Sequence, residues 1–315
     1  MKKKFIIFFL MCFFRIIIAN PLDLSIRSQT TIHQHYNAMI EHYQNENWKK
    51  LVYKSQNLIS DFPNTPFALE GLYYLGIGYY KLGEFEYANQ AFSKYLKKEL
   101  SPKFFEQVFH FKFGIAQAFE QGMGTHLFGW KHMPKWLPAH EQALAIYNEI
   151  ITTLSHDDLA ARSLYRKGML LLNIKEYKTS VEVFRTLIRR FPKHSLAPNS
   201  YLGIAHVYLA QSKNEFPDAD RLDLAEVNLR KFRDHFPGEP RLVDAENIVL
   251  HMKESLAADL FEIAAFYMKT KKPKAATIYY TTIIKKYPGT KIAIQSQKHL
   301  EKLNASSPYS QKQHH

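Results

Sequence analysis

Of the 15 histidines, the two whose placement could do chemistry are His132 and His140, with Glu141 beside the second. Two imidazoles and a carboxylate are a donor set that holds zinc, provided a third ligand closes the site. His132 lies in a stretch broken by glycine and proline, His140 opens a helical pattern, and no third ligand stands at a recognisable spacing. A metal centre is therefore not expected. No HExxH, phosphate-cradling glycine loop or GxSxG occurs. The acidic residues sit on solvated helix faces beside Lys and Arg, as Glu84 and Glu86 do around Phe85. The expected class is a non-enzyme without cofactor.

The basic residues offer more. Lys97-Lys98, Arg189-Arg190 and Lys285-Lys286 each close a helical pattern, where cations complement the negative end of the helix dipole. In a stack of equivalent helices the same pairs would also fall on one side, as a stripe suited to acidic protein segments or to an anionic membrane surface. Lys plus Arg total 42 against 29 for Asp plus Glu, a net charge of +13, and Lys2, Lys3, Lys4 and Arg15 belong to the first stretch of the chain. Nucleic acid is not an expected partner, because that stretch reads as an export signal and helix packing accounts for the aromatics among the bases.

What must position these residues is a repeated helix hairpin. In Leu164 to Pro192, two helical patterns meet across a polar break, and a Phe-Pro pair stops the second. Gly168, Leu171, Ser180, Phe184 and Pro192 put small residues where backbones should approach and large ones where helices should pack. Gly76, Tyr79, Ala88 and Phe92 repeat the spacing, and so do Ala264, Tyr267, Ala276, Tyr280 and Pro288. Three copies on one grid predict an all-α superhelical solenoid. Hydrophobic residues make up 46% of the chain, and 23 Phe with 19 Tyr predict an interior built largely from aromatics. Within one hairpin Gly168 should meet the Ser180 side, and Phe184 should reach the following pair.

The N-terminus, MKKKFIIFFLMCFF, has a basic start and an apolar run, so residues 1–19 read as a signal peptide cleaved after Ala19. An uncleaved anchor is the alternative, although the run is short for a span and contains Arg15. Cys12, the single cysteine, lies inside this leader, so the mature chain has neither a disulfide nor a cysteine nucleophile. Residues 20–31 read as a flexible approach to a repeat array over 32–303, of five to six helix pairs and a capping helix. Residues 121–138 break the period with glycines, prolines, Trp130 and Trp136. This insertion loop either contacts a partner through those tryptophans or seals a widened gap with them. A long first helix runs from Leu242 to Thr270, on which Ile263, Phe266 and Tyr267 read as intramolecular core. Residues 304–315 form a polar tail.

The stretches YYLGIGYYKLGEFEYANQAFSKYL, LYRKGMLLLNIKEYKTSVEVFRTLIRRFP and FYMKTKKPKAATIYYTTIIKKYP resemble tetratricopeptide repeats at their Gly/Ala, Tyr, Ala and Phe/Tyr positions and at the closing proline. More narrowly, FPNTPFALEGLYYLGIGYYKLGEFEYANQAF and the region from LAADLFEIAAFYMK to its terminal helix are similar to the BamD family of outer-membrane assembly factors. That resemblance implies a periplasmic, outer-membrane-associated scaffold. Its N-terminal half would face unfolded outer-membrane proteins, and its C-terminal half would hold a barrel-insertion component. Two features depart from the family pattern: Met11 before Cys12 is too large for a lipobox, and the insertion lengthens the chain. The alternative is a periplasmic tetratricopeptide adaptor in envelope integrity or cell division, which shares the FPxxPxA signature of FPNTPFA. Exposed charges on the C-terminal half, Arg241, Lys253 and Lys269, are with Trp130 and Trp136 the candidate partner-binding residues.

Overall fold

The computed structural model describes residues 21–98, 101–123, 139–214 and 219–305. The predicted leader, most of the insertion with Trp130, Trp136 and His132, and the end of the tail lie outside the described residues. Within them the chain is all-α, without a strand, and no helix is long and apolar enough to cross a membrane. In chain order the helices are α1 (Pro21–Gln44), α2 (Trp48–Asp61), α3 (Pro66–Lys81), α4 (Phe85–Lys98), α5 (Phe105–Glu120), α6 (His140–Thr153) and α7 (Asp158–Asn173). They continue as α8 (Tyr177–Arg190), α9 (Leu196–Asn214), α10 (Ala219–His235), α11 (Leu242–Lys269), α12 (Pro273–Lys286) and α13 (Lys291–Ala305). They form two compact units, one ending at Ile146 and the other beginning at Tyr147, and each is built of helix pairs in the tetratricopeptide manner.

Several boundaries have a local cause. Before Pro63, Pro192 and Pro288, the residues Phe62, Phe191 and Tyr287 leave the helical region with ψ of 53°, 57° and 53°, as the ring of a following proline demands. Each still donates its backbone N–H to the carbonyl four residues back. Thr65 then caps α3 by accepting from the Ala68 amide at 3.1 Å, with Pro66 in the first turn. In four of the pairs the turn is a left-handed cap. Glu46, Gly83, Lys175 and Lys271 have φ of 53°, 73°, 66° and 56° and stand two residues before α2, α4, α8 and α12. The Lys175 amide donates to Leu172 and the Glu176 amide to Leu171, and the other three turns repeat this double bond. Only one of the four residues is glycine, so three turns hold a side chain in a conformation that disfavours one.

Packing follows the small-large grid. A Cβ on Gly76 would lie 2.5 Å from Phe92, and one on Gly168 would lie 2.7 Å from Phe184. Ser180 Oγ donates to the Gly168 carbonyl at 2.8 Å, which draws α7 and α8 together on the predicted side. The Phe184 ring reaches α9 as well, where a Cβ on Gly203 would lie 2.8 Å from it. The ring is thus closed in by a glycine on each side and is fully buried. In the first unit aromatics supply the interior: Tyr73 stacks on Phe104 at 4.1 Å and Phe92 on Phe111 at 5.3 Å between centroids. Lys112 is fully buried there, with Nζ donating to Asn89 at 2.8 Å and Ser93 at 2.7 Å.

One expectation about order is corrected. Residues 20–31 read as a flexible approach, yet α1 is already helical from Pro21. Proline is at home in a first helical turn, so its presence was no barrier to an early start.

Candidate partner-binding site

The C-terminal end of the second unit is organised by α11, 28 residues without an internal glycine or proline. This helix packs on α9, α10, α12 and α13. Leu242, Ala245, Ile248, Val249 and Met252 are buried in the first half, Ala257 and Ala264 in the second. The terminal helix α13 is fastened at its start by Glu254 of α11, whose carboxylate accepts the Lys291 and Ile292 amides, and by Thr290 Oγ1, which accepts the Ala293 amide at 3.0 Å. A carboxylate there meets the positive end of the helix dipole. His299 of α13 stacks on Tyr280 at 5.2 Å and meets the edge of Phe261 at 5.5 Å.

Two rows of residues on α11 emerge from cover as the helix proceeds, one apolar throughout and one interrupted by Asp259. Val249, Leu256 and Ile263 stand seven residues apart, close to two helical turns; the first is buried, the second half-buried, and Ile263 is 40% exposed. Likewise Met252 is buried, Asp259 is exposed and Phe266 is 60% exposed. The expectation that Ile263 and Phe266 belong to the core is therefore corrected. Among the described residues, the side of α11 that its neighbours cover over the first half is left more exposed over the second. Tyr267 remains half-buried, stacked on Tyr279 at 5.5 Å. Beyond Phe266 the turn carries Lys269, Lys271, Lys272 and Lys274, all exposed and without an acidic partner among the described residues.

The structure separates the three charged candidates. Lys269 is exposed beside Phe266 in sequence. Lys253 Nζ lies 2.6 Å from Glu226 of α10, with 24% of its side chain exposed. Arg241 precedes α11, donates from Nε to Glu239 at 2.6 Å and also reaches Asn199 of α9. That hydrogen bond holds the Glu239 carboxyl below the ordinary glutamate value. Arg241 and Lys253 thus tie helices of this unit together, and only Lys269 is free to meet a partner. Sequence reasoning overlooked Ile263, Phe266 and the lysines that follow Lys269. The signal was present in the seven-residue spacing of Val249, Leu256 and Ile263 and in the run KTKKPK. His140 and Glu141 join no cluster of metal donors, and none occurs among the described residues.

Several solved structures are similar to the chain at low identity. A tetratricopeptide repeat protein from Parabacteroides merdae is 13% identical, with 84% of this chain and 98% of that one covered and a TM-score of 0.39. The apo form of RapI is 14% identical over 86% of this chain and 76% of that one, with a TM-score of 0.40. The pilF protein of Pseudomonas aeruginosa is 13% identical over 86% and 98%, with a TM-score of 0.33. No curated protein matches the chain. Residues 70–99 match the tetratricopeptide repeat family. The region that carries α11 and its uncovered face has the more specific likeness: residues 175–312 match the BamD/YfiO family, described as outer membrane lipoprotein.

Proposed function

We propose that the chain is a non-enzymatic periplasmic scaffold of outer-membrane protein assembly, which holds a barrel-insertion component at the C-terminal end of its second unit. The observation that carries this reading is the uncovered apolar face of α11, Ile263 and Phe266 followed by four exposed lysines, inside the region similar to an outer membrane lipoprotein family. A terminal repeat either needs a polar cap or is covered by another protein. Here α13 covers part of the end, and the apolar remainder has a size and setting suited to an interface anchor. The repeats of the first unit, over Tyr36–Tyr95, are assigned to unfolded outer-membrane substrates, as the family resemblance implies. Residues 1–19 are assigned to a leader removed during export.

The test is co-isolation from the native envelope, comparing the wild type with the double variant Phe266→Asp, Lys269→Glu. Both residues are exposed, although the Phe266 ring meets the edge of Tyr267 at 5.7 Å, so a thermal melt of the variant accompanies the co-isolation and shows that it is folded. Loss of a barrel-insertion component from the variant supports the proposal. Recovery of only peptidoglycan-linked or division proteins, unchanged by the variant, replaces it with the envelope-adaptor reading.

A further inference from the structure

Two grooves occupy the same place in the repeat plan, one in each unit. The first lies between α2 and α4, with α3 as its floor, and encloses about 430 Å³. The second lies between α8 and α10, with α9 as its floor, and encloses about 310 Å³. In each, two second helices of successive pairs are splayed apart over the first helix between them. The correspondence extends to single positions. Ile59 and Leu75 line the first groove where Ile188 and Ile204 line the second. Gln90, Lys94 and Lys98 run at four-residue spacing along the wall of the first; Val227, Lys231 and His235 do so along the second.

The charge is one-sided. Among the described residues no carboxylate lines either groove. Lys94 and Lys98 are exposed, as are Arg189 and Lys231 in the second groove, and none of the four has an acidic partner among the described residues. On α10 the acids Asp223, Glu226 and Asp234 adjoin lining residues in sequence without lining the groove, and Glu226 is engaged by Lys253. Apolar side chains are left open beside these cations, with Leu224 45% and Val227 39% exposed. Each groove therefore pairs a recessed apolar floor with exposed cations: Lys94 and Lys98 one helical turn apart on a single wall of the first, and Arg189 and Lys231 on opposite walls of the second.

We infer that these two grooves are acceptor sites for acidic amphipathic helices of protein partners. Side chains at i, i+3 or i+4, and i+7 of such a helix would enter the groove between the two walls. Carboxylates four residues apart along one edge of the helix would meet Lys94 and Lys98 of the first groove, and carboxylates on its two edges would meet Arg189 and Lys231 of the second. A recessed floor favours this occupant over a lipid surface, because a bilayer takes up apolar side chains that project and has none of its own to seat in a groove. The inference is independent of the outer-membrane assembly reading, since it uses neither α11 nor the C-terminal end.

The test uses the whole chain and a labelled synthetic amphipathic helix with a leucine stripe flanked by glutamates, followed by fluorescence anisotropy. Two equivalents of peptide should bind, and the same peptide with lysines in place of the glutamates should not. Lys94→Glu combined with Lys98→Glu should weaken one equivalent roughly tenfold or more and leave the other, and Lys231→Glu should do the converse. The equivalent that survives reports that the variant is folded. Failure of the acidic peptide to saturate, equal binding of the lysine peptide, or retention of both equivalents in the variants would overturn the inference. So would lysine-dependent capture by phosphatidylglycerol vesicles in the absence of peptide binding, which would identify an anionic lipid surface as the ligand.

Discussion

Replacing Gly168 by alanine sets two effects of similar size against each other. An alanine in a helix interior is favoured over glycine by about 1 kcal/mol, so on propensity alone Gly168→Ala would stabilise α7. The added Cβ, however, would stand 2.7, 2.8 and 2.9 Å from three atoms of the Phe184 ring. That ring cannot withdraw toward α9, because a Cβ at Gly203 would already lie 2.8 Å from it. Overpacking of a closed site costs about 1–3 kcal/mol, so the variant should be destabilised by roughly 1 kcal/mol net. Gly71→Ala is the matched control: its Cβ would meet Ile59 Cγ1 at 3.2 Å, a shortfall of a few tenths of an ångström, and Ile59 borders the open space between α2 and α4 into which it can shift, so propensity should win and the variant should be neutral or more stable. Urea melts followed by ellipticity at 222 nm read both. The double variant Gly168→Ala, Phe184→Leu should lose about 1 kcal/mol less than the sum of its parts, because the smaller side chain vacates the clash. A stabilised Gly168→Ala, or additivity in the double variant, would refute the closed-ring account.

The turns give a prediction of opposite sign: Lys175→Gly and Lys271→Gly remove a side chain from left-handed backbone and should each stabilise by about 0.5–1 kcal/mol in thermal melts, whereas lower melting would show the side chains to be holding the turn. On the acid side, Arg241 lowers the Glu239 pKa from its ordinary 4.5. The unfolded chain therefore binds the proton first, and this contribution to stability, complete above pH 4.5, is lost as pH falls through the folded-state value. Melting temperature against pH should decline less steeply below pH 4.5 in Glu239→Gln, and parallel curves would contradict the assignment. The intact mass of chain isolated from the native envelope should correspond to a start at Asn20, and a start at an acylated Cys12 would replace the proposed cleavage with lipidation.

Much of the architecture is legible in the sequence because the repeat writes each constraint several times. Phe-Pro pairs mark where second helices end, and the Gly168–Phe184 spacing names a contact that the structure closes to van der Waals distance. The second wall of that pocket, Gly203, was harder to see because it belongs to the following pair, whose spacing is less regular. The candidate site was only half legible. Periodicity identifies the apolar face of α11 but not the length of its neighbours, so it could not tell that Ile263 and Phe266 lie beyond their cover. Nor could it separate Lys269 from Lys253 and Arg241, whose acidic partners are Glu226 on another helix and Glu239 in a turn. Charge in the sequence is a count; exposure is a matter of what packs opposite.

The central claim, that the uncovered end of α11 holds a barrel-insertion component, is tested most directly by photocrosslinking from that face. A benzophenone amino acid replacing Phe266, irradiated in the native envelope, should give one dominant adduct with an outer-membrane barrel-insertion component, and the adduct should weaken when Lys269→Glu is added. An adduct only with peptidoglycan-linked or division proteins, or none from this position despite a folded protein, would contradict the account.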